Sequence, residues 1–115
     1  MGNKTVQITT RHFEGWVILD ISGDIDLANS PAMRKVLLAE IKEKHTGKVF
    51  LNLTSVRYVD SSGIASLVEG LKASRDNGSR LILYGLNASV REVMELSRLQ
   101  KIFEIYDNEE QALAS

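Results

Sequence analysis

Apolar positions along the chain follow two alternating periods, and the switches between them mark its elements. Val6, Ile8 and Thr10 alternate with Gln7 and Thr9, which predicts a strand. Phe13-Glu14-Gly15 reads as a turn and Trp16 to Ile21 as a second strand, and so short a connection makes the pair an antiparallel hairpin. After Ser22-Gly23-Asp24 a polar loop leads to Asn29-Ser30-Pro31, where Ser30 is expected to cap a helix and proline to occupy its first position. Met33, Val36, Leu37 and Ile41 form the apolar stripe of that helix, with Leu38 and Ala39 at its edge, and Thr46-Gly47 ends it. Lys48 to Leu53 is a mostly apolar run suited to a strand covered on both faces.

The same alternation continues to the end of the chain. Gly63 to Arg75 carries Ile64, Leu67, Val68 and Leu71 at helical spacing and stops at Asn77-Gly78. Arg80 to Tyr84 is a short strand. Asn87 or Ser89 caps a third helix with Val90, Val93, Met94 and Leu96 as its apolar positions. Ile102 to Tyr106 is a last strand, and Glu109 to Ala114 a terminal helical turn or two. The order β-β-α-β-α-β-α-β-α predicts an α/β fold: a single mixed, mostly parallel sheet with an N-terminal antiparallel hairpin and about four helices. No repeat, linker or low-complexity tract interrupts it, so residues 1–115 read as a single domain.

Composition narrows the function classes. The chain has 115 residues, 14 basic and 15 acidic, for a formal net charge of −1. That balance supplies no basic face for nucleic acid. Cysteine is absent, which excludes disulfides, Cys-based zinc sites and thiol catalysis. His12 and His45 are far apart and lack ligand-spaced partners, so no metal site is read. No segment approaches the roughly 18 apolar residues of a membrane span, and membrane insertion is not expected. Met1-Gly2-Asn3-Lys4-Thr5 lacks a signal-peptide apolar core, and the hydroxyl of Thr5 stands at the wrong offset from Gly2 for acylation. A cytoplasmic location is the default expectation.

In sheets of this kind functional groups gather at the carboxyl ends of strands. Two loops fall there: Gly23-Asp24-Ile25-Asp26, and Val59-Asp60-Ser61-Ser62-Gly63-Ile64. The second sets two hydroxyls at a helix start beside an acid and a glycine. A helix start offers unpaired N–H groups, so a serine there either only caps the helix or is also modified into an anion that the position tolerates. Hydrolysis is not supported: there is no Gly-x-Ser-x-Gly elbow, and neither histidine is placed as a base. Asp24, Asp26 and Asp60 resemble the acid cluster of a response-regulator receiver. The acid pair, however, follows a hairpin-linked second strand, and Asp107-Asn108-Glu109 stands where a receiver needs its lysine. No phosphate loop or dinucleotide fingerprint is present, and neither catalytic residue nor cofactor is assigned.

These residues resemble a known family. Ser22-Gly23-Asp24-Ile25-Asp26, Leu51-Asn52-Leu53-Thr54-Ser55-Val56 and Val59-Asp60-Ser61-Ser62-Gly63-Ile64 look like the STAS domain of anti-sigma-factor antagonists. Leu83-Tyr84-Gly85-Leu86-Asn87 and Leu99-Gln100-Lys101-Ile102-Phe103 also fit, so the likeness covers nearly the whole chain. The resemblance implies a phosphoprotein of transcription regulation that works by partner switching. Ser61 would be phosphorylated by a serine kinase of the histidine-kinase-like ATPase class, often itself the anti-sigma factor. The unphosphorylated protein would bind that kinase, and a PP2C-type phosphatase would restore binding after phosphorylation. Asp26 matches a loop acid near the phosphorylated serine. The expected switch surface comprises Gly23, Asp24, Asp26, Asp60, Ser62, Gly63, Ala65, Ser66 and Glu69, the last three expected to lie away from the apolar stripe. Two residues depart from the family pattern: Asn52 stands where Asp is frequent, and Ala65 replaces a common Gly. STAS domains also serve as unphosphorylated subunits of membrane lipid-transport complexes or as scaffolds, which is the alternative role.

Overall fold

A computed structural model describes residues 6–115; Met1-Gly2-Asn3-Lys4-Thr5, on which the targeting and acylation expectations rest, lie outside them. The elements run in the expected order: β1 (Gln7–Phe13), β2 (Trp16–Ser22), α1 (Ser30–Leu38), β3 (Lys48–Ser55), α2 (Ser61–Asp76), β4 (Arg80–Tyr84), α3 (Ala88–Leu96), β5 (Glu104–Tyr106) and α4 (Glu109–Leu113). They form one five-stranded sheet in the order β1-β2-β3-β4-β5. β1 is antiparallel to β2, and all later pairings are parallel.

Strand alternation divides the core. Val17, Leu19, Val49, Leu51, Leu53, Leu81 and Leu83 face one side, where Met33, Leu37, Leu67, Val90 and Met94 from the three longer helices cover them. Ile18, Phe50, Ile82 and Tyr84 face the other, where α4 contributes Ala112. Close packing of α1 on α2 depends on Gly70, whose missing side chain leaves room for Leu37.

Polar networks pin the ends of the sheet. Arg11 binds the Asp20 carboxylate through Nε and Nη2, at 2.7 and 2.8 Å, and reaches Glu109 at 2.8 Å. The guanidinium holds both carboxyls below their usual range. Burial, and then the Glu109 carboxylate to which its hydroxyl donates at 2.6 Å, pushes the Tyr84 phenol upward. Asn52 donates to Asp20 at 2.7 Å, while its own oxygen accepts from the Thr54 amide and hydroxyl. An amide therefore suits position 52 better than a carboxylate, which would face Asp20 with like charge.

The first helix departs from expectation at both ends. Ser30 is its first helical residue rather than its cap; Asn29 takes the cap position, without a side-chain cap bond. Beyond Leu38 the helix widens into a π-helical turn, Ala39–Glu43. There the Glu40 side chain is buried and accepts from Thr46 Oγ1, Lys44 Nζ and His12 Nε2 at 2.9 to 3.1 Å. Burial alone would raise its pKa, but the three donors outweigh it and hold the carboxyl below its ordinary value. The chain leaves this turn through His45 in the left-handed region. The expected last strand is also shorter than its apolar run. Leu99–Lys101 form a 3-10 turn, Ile102 is exposed and pairing begins only at Glu104. Leu96, read as an apolar helix position, is 79% exposed, because Val90 and Met94 alone turn α3 onto the core.

Candidate functional site

β2 and β3 are parallel neighbours, so the loops leaving their carboxyl ends run side by side. Gly23 makes the first bend at φ +104°, a conformation that disfavours any side chain, and its amide donates to the Ser55 carbonyl. A further ladder step joins the loops: Ile25 donates to the Tyr58 carbonyl at 2.9 Å, and Asp60 donates back to the Ile25 carbonyl at 3.2 Å. Asp26 then accepts the Asn29 amide at 3.0 Å and turns the chain into α1.

Asp60, not a serine, caps α2. Its Oδ1 accepts the amides of Ser62 and Gly63 at 2.9 and 3.0 Å, and its Oδ2 accepts the Leu27 amide at 3.1 Å. One carboxylate thus closes the helix start and holds the neighbouring loop. Ser61 becomes the first residue of the helix, exposed, and its hydroxyl makes no hydrogen bond among the described residues. The capping role expected of the serine is taken by the acid before it, whose carboxylate accepts two N–H groups at once.

Two members of the expected switch surface are inaccessible. Gly63 is buried at the crossing of α2 with the Ile25 and Val59 segments. A side chain on it would collide with the Ile25 carbonyl and come within 2.8 Å of Val59 Cγ1. Ser66, one turn further, is 2% exposed and faces the core; the stripe of α2 is wide enough to include it. Ala65 and Glu69 do point outward, and Glu69 lies 3.9 Å from Arg34 of α1. Ser62 and Asp60 are half-buried beside Ser61, and Gly23, Asp24 and Asp26 are half-buried in the adjoining loop.

The structure adds residues that periodicity did not single out. A shallow recess of about 380 Å³ opens at Ser61 between α2 and α3, lined by Tyr58, Val59, Asp60, Ser61, Ile64, Val93 and Ser97. Tyr58 is 49% exposed, and Leu27, on the loop tied to Asp60, is 74% exposed. Large apolar side chains this open, in loops at the carboxyl ends of strands, are the signal that could have found them.

The chemistry available here is that of an accessible alcohol. Both histidines belong to the opposite end of the sheet: His12 pairs with Val17 near the start of β2, and His45 precedes β3. Neither histidine therefore lies beside Ser61. Among the described residues no group of three or more His, Asp or Glu side chains could hold a metal ion. No helix among them is long and apolar enough to cross a membrane.

The chain combines a five-stranded sheet opened by an antiparallel hairpin with an exposed serine at the start of the helix after its third strand. The family model for the STAS domain matches residues 7–112, and the chain belongs to that family. It is 30% identical over 108 residues to an anti-sigma F factor antagonist of Paenibacillus polymyxa, covering 94% of this chain and 92% of the relative. An anti-sigma-B factor antagonist of Staphylococcus aureus (strain NCTC 8325) is 24% identical over 108 residues, covering 94% and 97%. Among solved structures, a Thermotoga maritima protein described as a candidate anti-sigma factor antagonist superposes with a TM-score of 0.87 at 27% identity, covering 93% and 92%.

Proposed function

We propose that this protein is a phospho-switched antagonist of an anti-sigma factor, with Ser61 as the phosphorylated residue. The observation that carries the reading is the division of labour between Asp60 and Ser61. Asp60 takes the structural task at the helix start, which leaves the Ser61 hydroxyl exposed and unbonded. The partner is a serine kinase of the histidine-kinase-like ATPase class that is also the anti-sigma factor. It would seat on Leu27, Tyr58 and the recess beside Ile64 and Val93. A PP2C-type phosphatase would return the protein to its binding form. Such a cycle runs where ATP is available, in the cytoplasm.

Phosphate adds about −1.5 to −2 charge and three acceptor oxygens. The Ser62 and Gly63 amides, which would otherwise receive an anion at a helix start, already serve Asp60. A phosphate on Ser61 therefore points outward, beside a carboxylate. A partner surface shaped around a neutral hydroxyl then has to bury an unpaired anion, which costs several kcal/mol. Release follows from charge and desolvation, without refolding.

Incubation with ATP and the kinase encoded nearest to this protein, followed by mass spectrometry, tests the assignment. One acid-stable phosphate is expected on Ser61, and none on Ser61→Ala. Phosphate on another residue, or none, would contradict it; an acid-labile phosphate on aspartate would point to a receiver-like role instead.

A further inference from the structure

The second face of the sheet is only partly covered by α4, and what it leaves open has a composition of its own. Trp16, Lys48, Phe50 and Leu113 line a recess of about 270 Å³. Strand pairing builds it: Trp16 sits directly across from Lys48, and Lys48 across from Arg80, all on one face. The indole of Trp16 stacks on Phe13, with ring centroids 4.1 Å apart and planes 11° apart, and meets Phe50 edge-on at 5.6 Å. Phe50 is buried and fixes the floor. The recess is thus walled on one side by two aromatic rings in contact with each other.

Its charge is as informative as its shape. Arg80 is engaged by Glu104 through Nε and Nη2 of its guanidinium. That pair uses the nearest carboxylate and holds it below its usual pKa, with Lys48 adding only a weaker, longer-range effect. Lys48 itself forms no ion pair among the described residues. An aromatic recess with an ammonium at its rim that forms no ion pair among the described residues is complementary to a flat anion. Ligand pockets for drug-sized molecules span about 300 to 1,000 Å³, so this one takes a single small ring system.

We propose that this recess binds a small planar aromatic carboxylate, its ring against Trp16 and Phe50 and its anion on Lys48. The site is separate from the Ser61 surface. Lys48 opens β3 and Ser61 lies beyond its far end, about 20 Å away at strand spacing. Occupancy therefore stands independently of whether Ser61 is phosphorylated.

Three probes that share one ring and differ in charge test this on the full chain: indole-3-acetate, 3-methylindole and tryptamine. Each is titrated into isotope-labelled protein while amide shifts are followed, and the indole Nε1–H resonance of Trp16, the one tryptophan in the chain, gives a second readout. Indole-3-acetate is expected to shift Trp16, Lys48 and Phe50. It should bind about tenfold more tightly than 3-methylindole, with tryptamine weakest, as one charge-assisted contact implies. Lys48→Ala should reduce the anion to the affinity of the neutral probe, and Lys48→Arg should retain most of the advantage. Equal affinities for the three probes, shifts clustered at Tyr58 and Ile64, or no saturation at millimolar ligand would overturn the proposal. So would movement of the same amides with protein concentration alone, which would assign the recess to a second copy of the chain.

Discussion

Leu27 hangs from Asp60: its amide donates to Asp60 Oδ2 at 3.1 Å, while the other oxygen of the same carboxylate caps α2. The exposed leucine and the exposed Ser61 are therefore held at fixed relative positions by one side chain drawn from neither loop's apolar pattern. An apolar anchor and an alcohol fixed in this way offer a partner a preformed surface, which lowers the ordering cost of binding.

Asp60→Ala removes both functions of that carboxylate. The lost cap and the lost contact to Leu27 together should cost about 2 kcal/mol. Asp60→Asn, which keeps an acceptor oxygen, should recover most of this. Urea denaturation midpoints of the three proteins check the order: parent most stable, then Asn, then Ala.

Gly63 and Ala65 lie two residues apart on α2 and should respond to substitution to different degrees. Gly63→Ala drives a methyl into the Ile25 backbone and should destabilise the fold by about 2 kcal/mol or more. Ala65→Gly is exposed and should cost only the helix propensity, about 1 kcal/mol. Its effect should fall mainly on partner choice, because residue 65 lies on the outer face beside Ser61. Thermal unfolding separates the two, and a kinase-binding assay reads the second.

Glu40 should make stability pH-dependent on the acid side. Its folded pKa lies below the unfolded value, near 4.3, so its stabilising contribution is fully present above that value and is lost as pH falls through the lower folded one. Glu40→Gln should cost about 2 kcal/mol at pH 7, because a buried acceptor of three donors becomes half a donor itself. The gap between the two proteins should narrow as pH drops below about 4. Asp20, Glu104 and Glu109 are also lowered, so both proteins should still weaken in acid. Denaturation at a series of pH values measures the gap.

Most of the fold was legible because its strands and helices carry clean periods; Val17, Leu19, Val49 and Leu51 alternate with residues of the other face as expected. What periodicity could not reveal was set by side-chain hydrogen bonds across the sequence. The cap passed to Asp60 because its carboxylate also meets Leu27, a contact spanning 33 positions. The π-helical turn after Leu38 follows Glu40 inward toward His12, 28 positions away. Gly63 enters the expected surface with its motif and Ser66 through its offset from the apolar stripe, whereas tight helix packing buries both of these small residues. Ser61 stands out in the sequence by its position after the third strand, whereas Leu27 and Tyr58 do not, because exposed apolar loop residues leave no periodic trace.

The central claim is that one covalent charge on Ser61 abolishes partner binding while leaving the fold intact. Isothermal titration of the cognate kinase with unmodified and Ser61-phosphorylated protein, alongside their amide spectra, tests it most directly. Affinity should fall by about a hundredfold or more, as about 3 kcal/mol of buried charge requires, with spectral changes confined to the start of α2 and the Leu27 loop. Equal affinity of the two forms, or loss of binding accompanied by spectral changes throughout the sheet, would contradict it.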